Sequence, residues 1–167
     1  MRSGPAQPEI DHYSLVQQDY VGVLAVTRDG LIPLVQQYRP AVESYTFEFP
    51  AGLLEPGENP ERAARRELTE ETGLCATEIV EVCATFADTG RLSSRFFAFF
   101  AVAEQSAMAG SEPGIEVLFC SLADLHERIR SNRFVLQTHI GILYAAAAHP
   151  GVAAMLVRAG LPDLFHR

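Results

Sequence analysis

Gly52 to Leu74 reads GLLEPGENPERAARRELTEETGL. The second half of this run predicts a helix with marked ends. Asn59 suits an N-cap, because its side-chain oxygen can accept from a free amide of the first turn. Pro60 follows at the first helical position, where a missing N–H costs nothing. Gly73 suits the left-handed residue that ends many helices. Between these ends Glu67, Glu70 and Glu71 stand three and four residues apart, so they share a face. Ala64 and Leu68 make an apolar pair on another side, and Glu61 and Arg65 can pair on a third, solvated side.

Like charges at this spacing destabilise a helix by about 0.2–0.5 kcal/mol per pair. These also sit near the C-terminal end, where the helix dipole disfavours anions. A hard divalent cation held through oxygen would compensate, and Mg²⁺ commonly takes one or two carboxylates plus water and substrate phosphate. A solvated acidic face is the other reading that three glutamates alone allow.

The residues around the glutamates favour the cation. Gly52, Glu58, Arg66-Glu67-Leu68, Glu70-Glu71, Gly73 and Leu74 occupy every fixed position of the Nudix box. A motif this long is far more specific than a lone glycine triplet, and on it the chain resembles the Nudix hydrolases. The resemblance runs from about Tyr13 to Ala148. It implies an α+β fold, a mixed β-sheet sandwiched between helices in α/β/α layers. It also implies hydrolysis of a nucleoside diphosphate linked to a further group.

The totals agree with one soluble domain. The chain has 167 residues, 48% of them hydrophobic, and a net charge of −8. That length suits a single domain over 11–167 behind a flexible N-terminal arm, 1–10, which carries Gly and Pro without periodicity. An acidic surface argues against nucleic acid as partner, so an anionic substrate needs local positive charge from metal and arginines. Cys75, Cys83 and Cys120 are few, odd in number and without CxxC spacing, as expected of reduced thiols in a cytoplasmic protein. No charged-then-apolar leader is visible, and no apolar run is long enough to span a bilayer, so no membrane partner is expected.

Along the chain, His12–Gln18 is a candidate first strand. Tyr20–Thr27 and Leu31–Tyr38, joined by Asp29-Gly30, read as a hairpin, with Pro33 marking an edge or bulge. Tyr45–Phe49 is a short strand leading to Pro50-Ala51-Gly52. After the box, Glu78–Phe86, Ser94–Ala103 and Ile115–Cys120 read as strands. Asp88-Thr89-Gly90 is a turn, and Ala107–Gly114 a small-residue loop. Ser121 caps a helix over Leu122–Arg130. Gln137–Ala148 is a second helix, His149-Pro150-Gly151 breaks it, and Val152–Ala159 is a last short helix ended by Gly160. The run Phe96, Phe97, Phe99, Phe100 reads as strand core rather than as a base-stacking platform. The five histidines, His12, His126, His139, His149 and His166, show no ligand spacing and read as surface or capping residues.

Two elements outside the box narrow the resemblance. Gln37-Tyr38-Arg39-Pro40 is similar to the QYR element of ADP-ribose and nucleotide-sugar pyrophosphatases, and Phe47-Glu48-Phe49-Pro50-Ala51-Gly52 to their EFPAG run. The resemblance implies that Arg39 contacts the diphosphate, for which its planar fork is well shaped, and that Glu48 lies at the same site. The ADP-ribose group carries a proline in the turn after the box. Thr89 stands there instead, which leaves room for another sugar nucleotide such as a GDP- or UDP-sugar.

For the chemistry, the resemblance implies Mg²⁺, with Mn²⁺ as a substitute, held by Glu67, Glu70, Glu71 and the Ala51 carbonyl. Glu70, Glu71 and Glu112 are the candidates for catalysis, Glu112 being placed in a loop where related pyrophosphatases carry their base, with Glu116 as runner-up. Arg91, like Arg95, flanks the Thr89 turn and can add positive charge near the substrate. Gly52, Glu58, Arg66 and Gly73 brace the box. The expected reaction cleaves a nucleoside diphosphate sugar, ADP-ribose or another, to a nucleoside monophosphate and a sugar phosphate. The alternatives are hydrolysis of nucleoside triphosphates or dinucleoside polyphosphates, and a non-catalytic nucleotide-binding module. A homodimer is expected from the subfamily, in which N-terminal strands help bind the base; Tyr13, Tyr20 and Tyr38 lie in that half.

Overall fold

Tyr20–Thr27 (β1) is buried along nearly its whole length and has a strand on each edge. In this computed structural model, which describes residues 11–106 and 112–166, it runs parallel to Arg95–Gln105 (β6) and antiparallel to Ala51–Leu53 (β4). Leu74–Phe86 (β5) pairs antiparallel with β6, with two register shifts, and completes a four-stranded mixed sheet. Near-continuous apolar sequence suits a strand covered on both faces, and both faces here are covered. Val21, Val23, Ala25, Phe99 and Ala101 pack against the box helix, Pro60–Thr72 (α1). Leu24, Val26, Phe96 and Phe100 pack on the opposite side against Gln137–Ala148 (α3) and Pro150–Ala159 (α4). The phenylalanines of β6 therefore alternate between two cores, as strand geometry requires.

A second sheet accompanies the first. Ile32–Arg39 (β2) lies between Ser44–Glu48 (β3) and Glu116–Cys120 (β7), antiparallel to both. From β7 the chain enters Leu122–Arg130 (α2), where Ser121 and Asp124 form a reciprocal capping box. The ends of α1 and the Gly160 end of α4 hold as read from sequence, whereas α4 starts at Pro150, two residues earlier than read. Asn59 Oδ1 accepts from the Glu61 amide at 2.9 Å, and Gly73 closes α1 at φ 69°. Gly160 closes α4 in the left-handed region, and His149 caps it by accepting from the Gly151 amide.

Four further readings change. The Asp29-Gly30 turn forms, with the Thr27 amide donating to the Leu31 carbonyl at 2.8 Å, but β1 and β2 are not a hairpin. Each already has both edges filled by other strands, so they part into different sheets. Residues 12–18 form no strand. They make one parallel bridge, Leu15 to Leu92, and Tyr13, Leu15 and Val16 stay exposed because no core face meets them. Pro33 lies in the central strand of its sheet, yet β3 pairs with β2 only from Val35 onward. At Pro33 the strand has β7 alone beside it, which spares the missing N–H. β4 is an additional strand of three residues.

The arm 1–10 and residues 107–111 of the loop before β7 lie outside the described residues. No single helix among the described residues is long and apolar enough to cross a membrane.

Candidate functional site

The carboxylate face of α1 opens into a cavity of about 570 Å³, within the range of small-molecule sites. Glu67, Glu70 and Glu71 line it from the helix. Gln37 and Arg39 reach it from β2, Ala51 and Gly52 from β4, and Glu112 from the loop before β7. The Glu112 amide donates to the Glu70 carbonyl at 3.1 Å, so this end of the loop is tied to the helix.

Arg66 takes part of the compensation that the sequence assigned to a cation. It donates to both oxygens of Glu58 at 3.2 and 3.0 Å, to Glu67 at 2.7 Å, to Glu70 at 3.0 Å and to the Leu53 carbonyl at 3.1 Å. These contacts tie the loop before α1 to the helix and hold the Glu58 carboxyl below the ordinary range.

Glu71 receives no such help. It is 4% exposed, and its only hydrogen bond among the described residues comes from the Ala51 amide at 2.9 Å. Burial, with added repulsion from Glu67, Glu112 and Glu48, pushes its carboxyl up to about 8 despite that amide. Burial also raises Glu67, against the pull of Arg66. Of these two buried carboxylates only Glu67 is hydrogen-bonded to an arginine, so the pair is short of positive charge. Among the described residues, no three carboxylate, imidazole or thiolate side chains converge as a ready-made cation cage. The all-oxygen donors fit a hard cation that completes its shell with water and substrate oxygens.

Gly52 belongs to this arrangement through the space it leaves. A Cβ there would stand 2.0 Å from Glu67 Oε1 and 2.5 Å from Oε2. The Glu67 carboxylate therefore lies directly over the β4 backbone.

Glu48 and Arg39 form a pair beside these groups. Arg39 Nε and Nη2 reach the two Glu48 oxygens at 2.7 and 2.5 Å, and Thr46 Oγ1 donates to Oε1 at 2.6 Å. Burial raises the Glu48 carboxyl, but these hydrogen bonds outweigh it and the net shift is downward. Arg39 Nη1 has no partner among the described residues. Thr46 was not singled out from the sequence, although its place two residues before Glu48 on one strand puts both on the same face.

The sequence also misplaced His139. It is 1% exposed, stacked between Phe49 and Phe96, and its Nδ1 accepts from the Phe49 amide at 3.0 Å. Burial pushes the imidazole down to about 4, with the Glu48 carboxylate opposing and the Arg39 guanidinium assisting. The unfolded imidazole takes its proton near pH 6.5, so between 6.5 and 4 the unfolded chain binds more protons and acid favours unfolding. Glu67 and Glu71, held above their ordinary range, act in the opposite sense. The informative quantity is therefore the difference between wild type and His139→Gln. Urea unfolding from pH 7 to 4 should show wild type losing about 3 kcal/mol more than the variant. Equal slopes would mean that the folded imidazole takes up its proton as readily as the unfolded one.

Arg91, Arg95, Thr89 and Glu116 are not among the residues lining the cavity. Arg91 is exposed, 4.0 Å from Asp88. Arg95 lies over the Phe86 ring. Glu116 opens β7 opposite Gln36. Tyr38 lines the cavity and meets Tyr45 edge-on at 5.5 Å, whereas Tyr20 packs on Phe96.

Comparison with known proteins matches the family model described as NUDIX domain to residues 16–137. An ADP-ribose pyrophosphatase of Bacillus subtilis is 36% identical over 115 residues, 66% of this chain and 62% of that protein. An ADP-sugar pyrophosphatase of Mus musculus is 52% identical over 59 residues, 33% of this chain and 27% of that one. These matches span less than two thirds of the relatives' own lengths. A crystal structure of an ADP compounds hydrolase superposes with a TM-score of 0.69 at 24% identity. The overlap is 86% of this chain and 75% of that one, which shows a shared fold.

Proposed function

This chain belongs to the Nudix family, and from that premise we propose that it hydrolyses the diphosphate of a nucleoside diphosphate sugar. ADP-linked sugars come first among the substrates, because the relatives above bear the names ADP-ribose and ADP-sugar pyrophosphatase. The observation that carries the reading is the buried, under-compensated Glu67–Glu71 pair in a cavity that Arg39 and Glu112 also line.

In this reading Glu67, Glu70, Glu71 and the Ala51 carbonyl would hold Mg²⁺, or Mn²⁺ in its place, which when bound would supply charge neutralisation on the diphosphate and a more acidic water. Arg39 stays anchored by Glu48 and offers its remaining N–H groups to phosphate oxygens, as its fork geometry favours. Glu112, held against α1, accepts the proton of the attacking water. Water adds to phosphorus, the bridging oxygen departs with its electron pair, and a nucleoside monophosphate and a sugar phosphate result. Arg66 and Glu58 act by fixing the helix against its preceding loop. Arg91 would come into play only by adding charge at the rim. A homodimer, with the exposed Tyr13–Val16 stretch on the partner, accords with this reading.

The test is a substrate panel: ADP-ribose, ADP-glucose, GDP-mannose, UDP-glucose, a nucleoside triphosphate and a dinucleoside polyphosphate, each with Mg²⁺ and with EDTA. Monophosphate release from an ADP-sugar, abolished by EDTA, is the expected result. Turnover of the triphosphate or dinucleoside polyphosphate alone would move the function to that class. No turnover of any would end the hydrolase reading.

A further inference from the structure

The chain must pass from one sheet to the other between β3 and β4, and it does so through Phe49-Pro50. Over this crossing no strand ladder satisfies the backbone, so each polar group needs its own partner. Pro50 has no N–H to satisfy. Its carbonyl accepts from the Val23 amide at 2.9 Å. The Phe49 amide donates to His139 Nδ1 at 3.0 Å, and the Ala51 amide donates to Glu71 Oε2 at 2.9 Å. Three residues thus join a buried imidazole on α3 to a buried carboxylate on α1. The residue before them, Glu48, carries the pair with Arg39.

We propose that His139 is a positioning residue for the carboxylate site: by holding the Phe49 amide it fixes the crossing that presents Ala51 to Glu71 and Glu48 to Arg39. The stacking of its ring between Phe49 and Phe96 leaves the imidazole one orientation, with Nδ1 as acceptor and the proton on Nε2. A phenylalanine at 139 could keep this stacking but would leave the Phe49 N–H buried and unpaired. A glutamine could still accept through its carbonyl. This proposal deepens the hydrolase reading, and depends on it only for the kinetic arm of its test.

Amide hydrogen exchange on the wild type tests the link without substrate. Phe49 and Ala51 should open in one event, with the same protection; clearly unequal protection would overturn the proposal. In His139→Phe, protection at Ala51 should drop about 10-fold beyond any change at a remote core amide such as Leu24. The kcat on the substrate found by the panel should fall about 10-fold or more, since ångström-scale misplacement has effects of that size, while KM changes little. His139→Gln should restore most of both. A His139→Phe protein that is less stable but unchanged in Ala51 protection and in kcat would show the histidine to be core packing only, and sink the proposal. If the wild type turns over no diphosphate, the hydrolase reading falls while the exchange comparison still decides this one.

Discussion

Glu71→Gln should lower diphosphate hydrolysis by about 10²–10⁴-fold and leave the protein folded, with a Tm equal to or above wild type. The two halves of this expectation have one cause. The Glu71 carboxylate is buried with the Ala51 amide as its one hydrogen-bond partner among the described residues, and its charge is opposed by burial and by three other glutamates. Glutamine matches it in size, and its side-chain carbonyl can still accept from the Ala51 amide that now reaches Oε2 at 2.9 Å. What disappears is the negative charge, which the fold bears at a cost and which only a bound cation would reward. Activity assays alongside thermal unfolding, with and without Mg²⁺, check both halves. Mg²⁺ should raise the Tm of the wild type and do so much less in the variant. Near-normal turnover in Glu71→Gln would remove this residue from the chemistry, and a collapsed Tm would mean that the charge itself holds the structure.

Local signals were legible in the sequence. The ends of α1 follow from Asn59, Pro60 and Gly73, because capping is decided within one turn. The shared face of Glu67, Glu70 and Glu71 follows from helical spacing alone. The Phe96–Phe100 run was readable as core because alternation along a strand assigns each ring a side. Partners distant in sequence were not legible. Asp29-Gly30 announces a turn but cannot say whether its strands keep each other as neighbours, and here β4 and β6 occupy both edges of β1. Residues 12–18 have strand-like composition but only one bridge to pair with. β4 is too short to leave a pattern. His139 sits in an apolar helix with nothing nearby to mark it, and its partner at Phe49 is 90 residues away. Arg66 was legible as a brace for Glu58 because both belong to one motif, yet its hold on Glu67 and Glu70 required the folded side chains.

Gly52→Ala separates geometry from stability at the same site. Gly52 does not adopt the left-handed backbone that Gly30, Gly57 and Gly73 do, so alanine is conformationally acceptable there. The obstacle is the Glu67 carboxylate, which stands 2.0–2.5 Å from where the methyl group would be. A carboxylate is the end of a flexible side chain and can swing away, whereas the β4 backbone, paired with Val21 of the buried β1, cannot. The methyl group should therefore displace Glu67 from its 2.7 Å contact with Arg66 and from the cavity beside Glu71. Stability should change by about 1 kcal/mol or less, because swinging the end of a flexible side chain aside costs far less than overpacking a core. Activity should fall about 10²-fold, and the Mg²⁺ concentration needed for half-maximal rate should rise, because one of two buried oxygen donors is lost. Glu67→Gln should match it in activity and, made together with Gly52→Ala, add little further loss, since both changes remove the same group. Fully additive losses in that double variant would show that Gly52 acts on something other than Glu67.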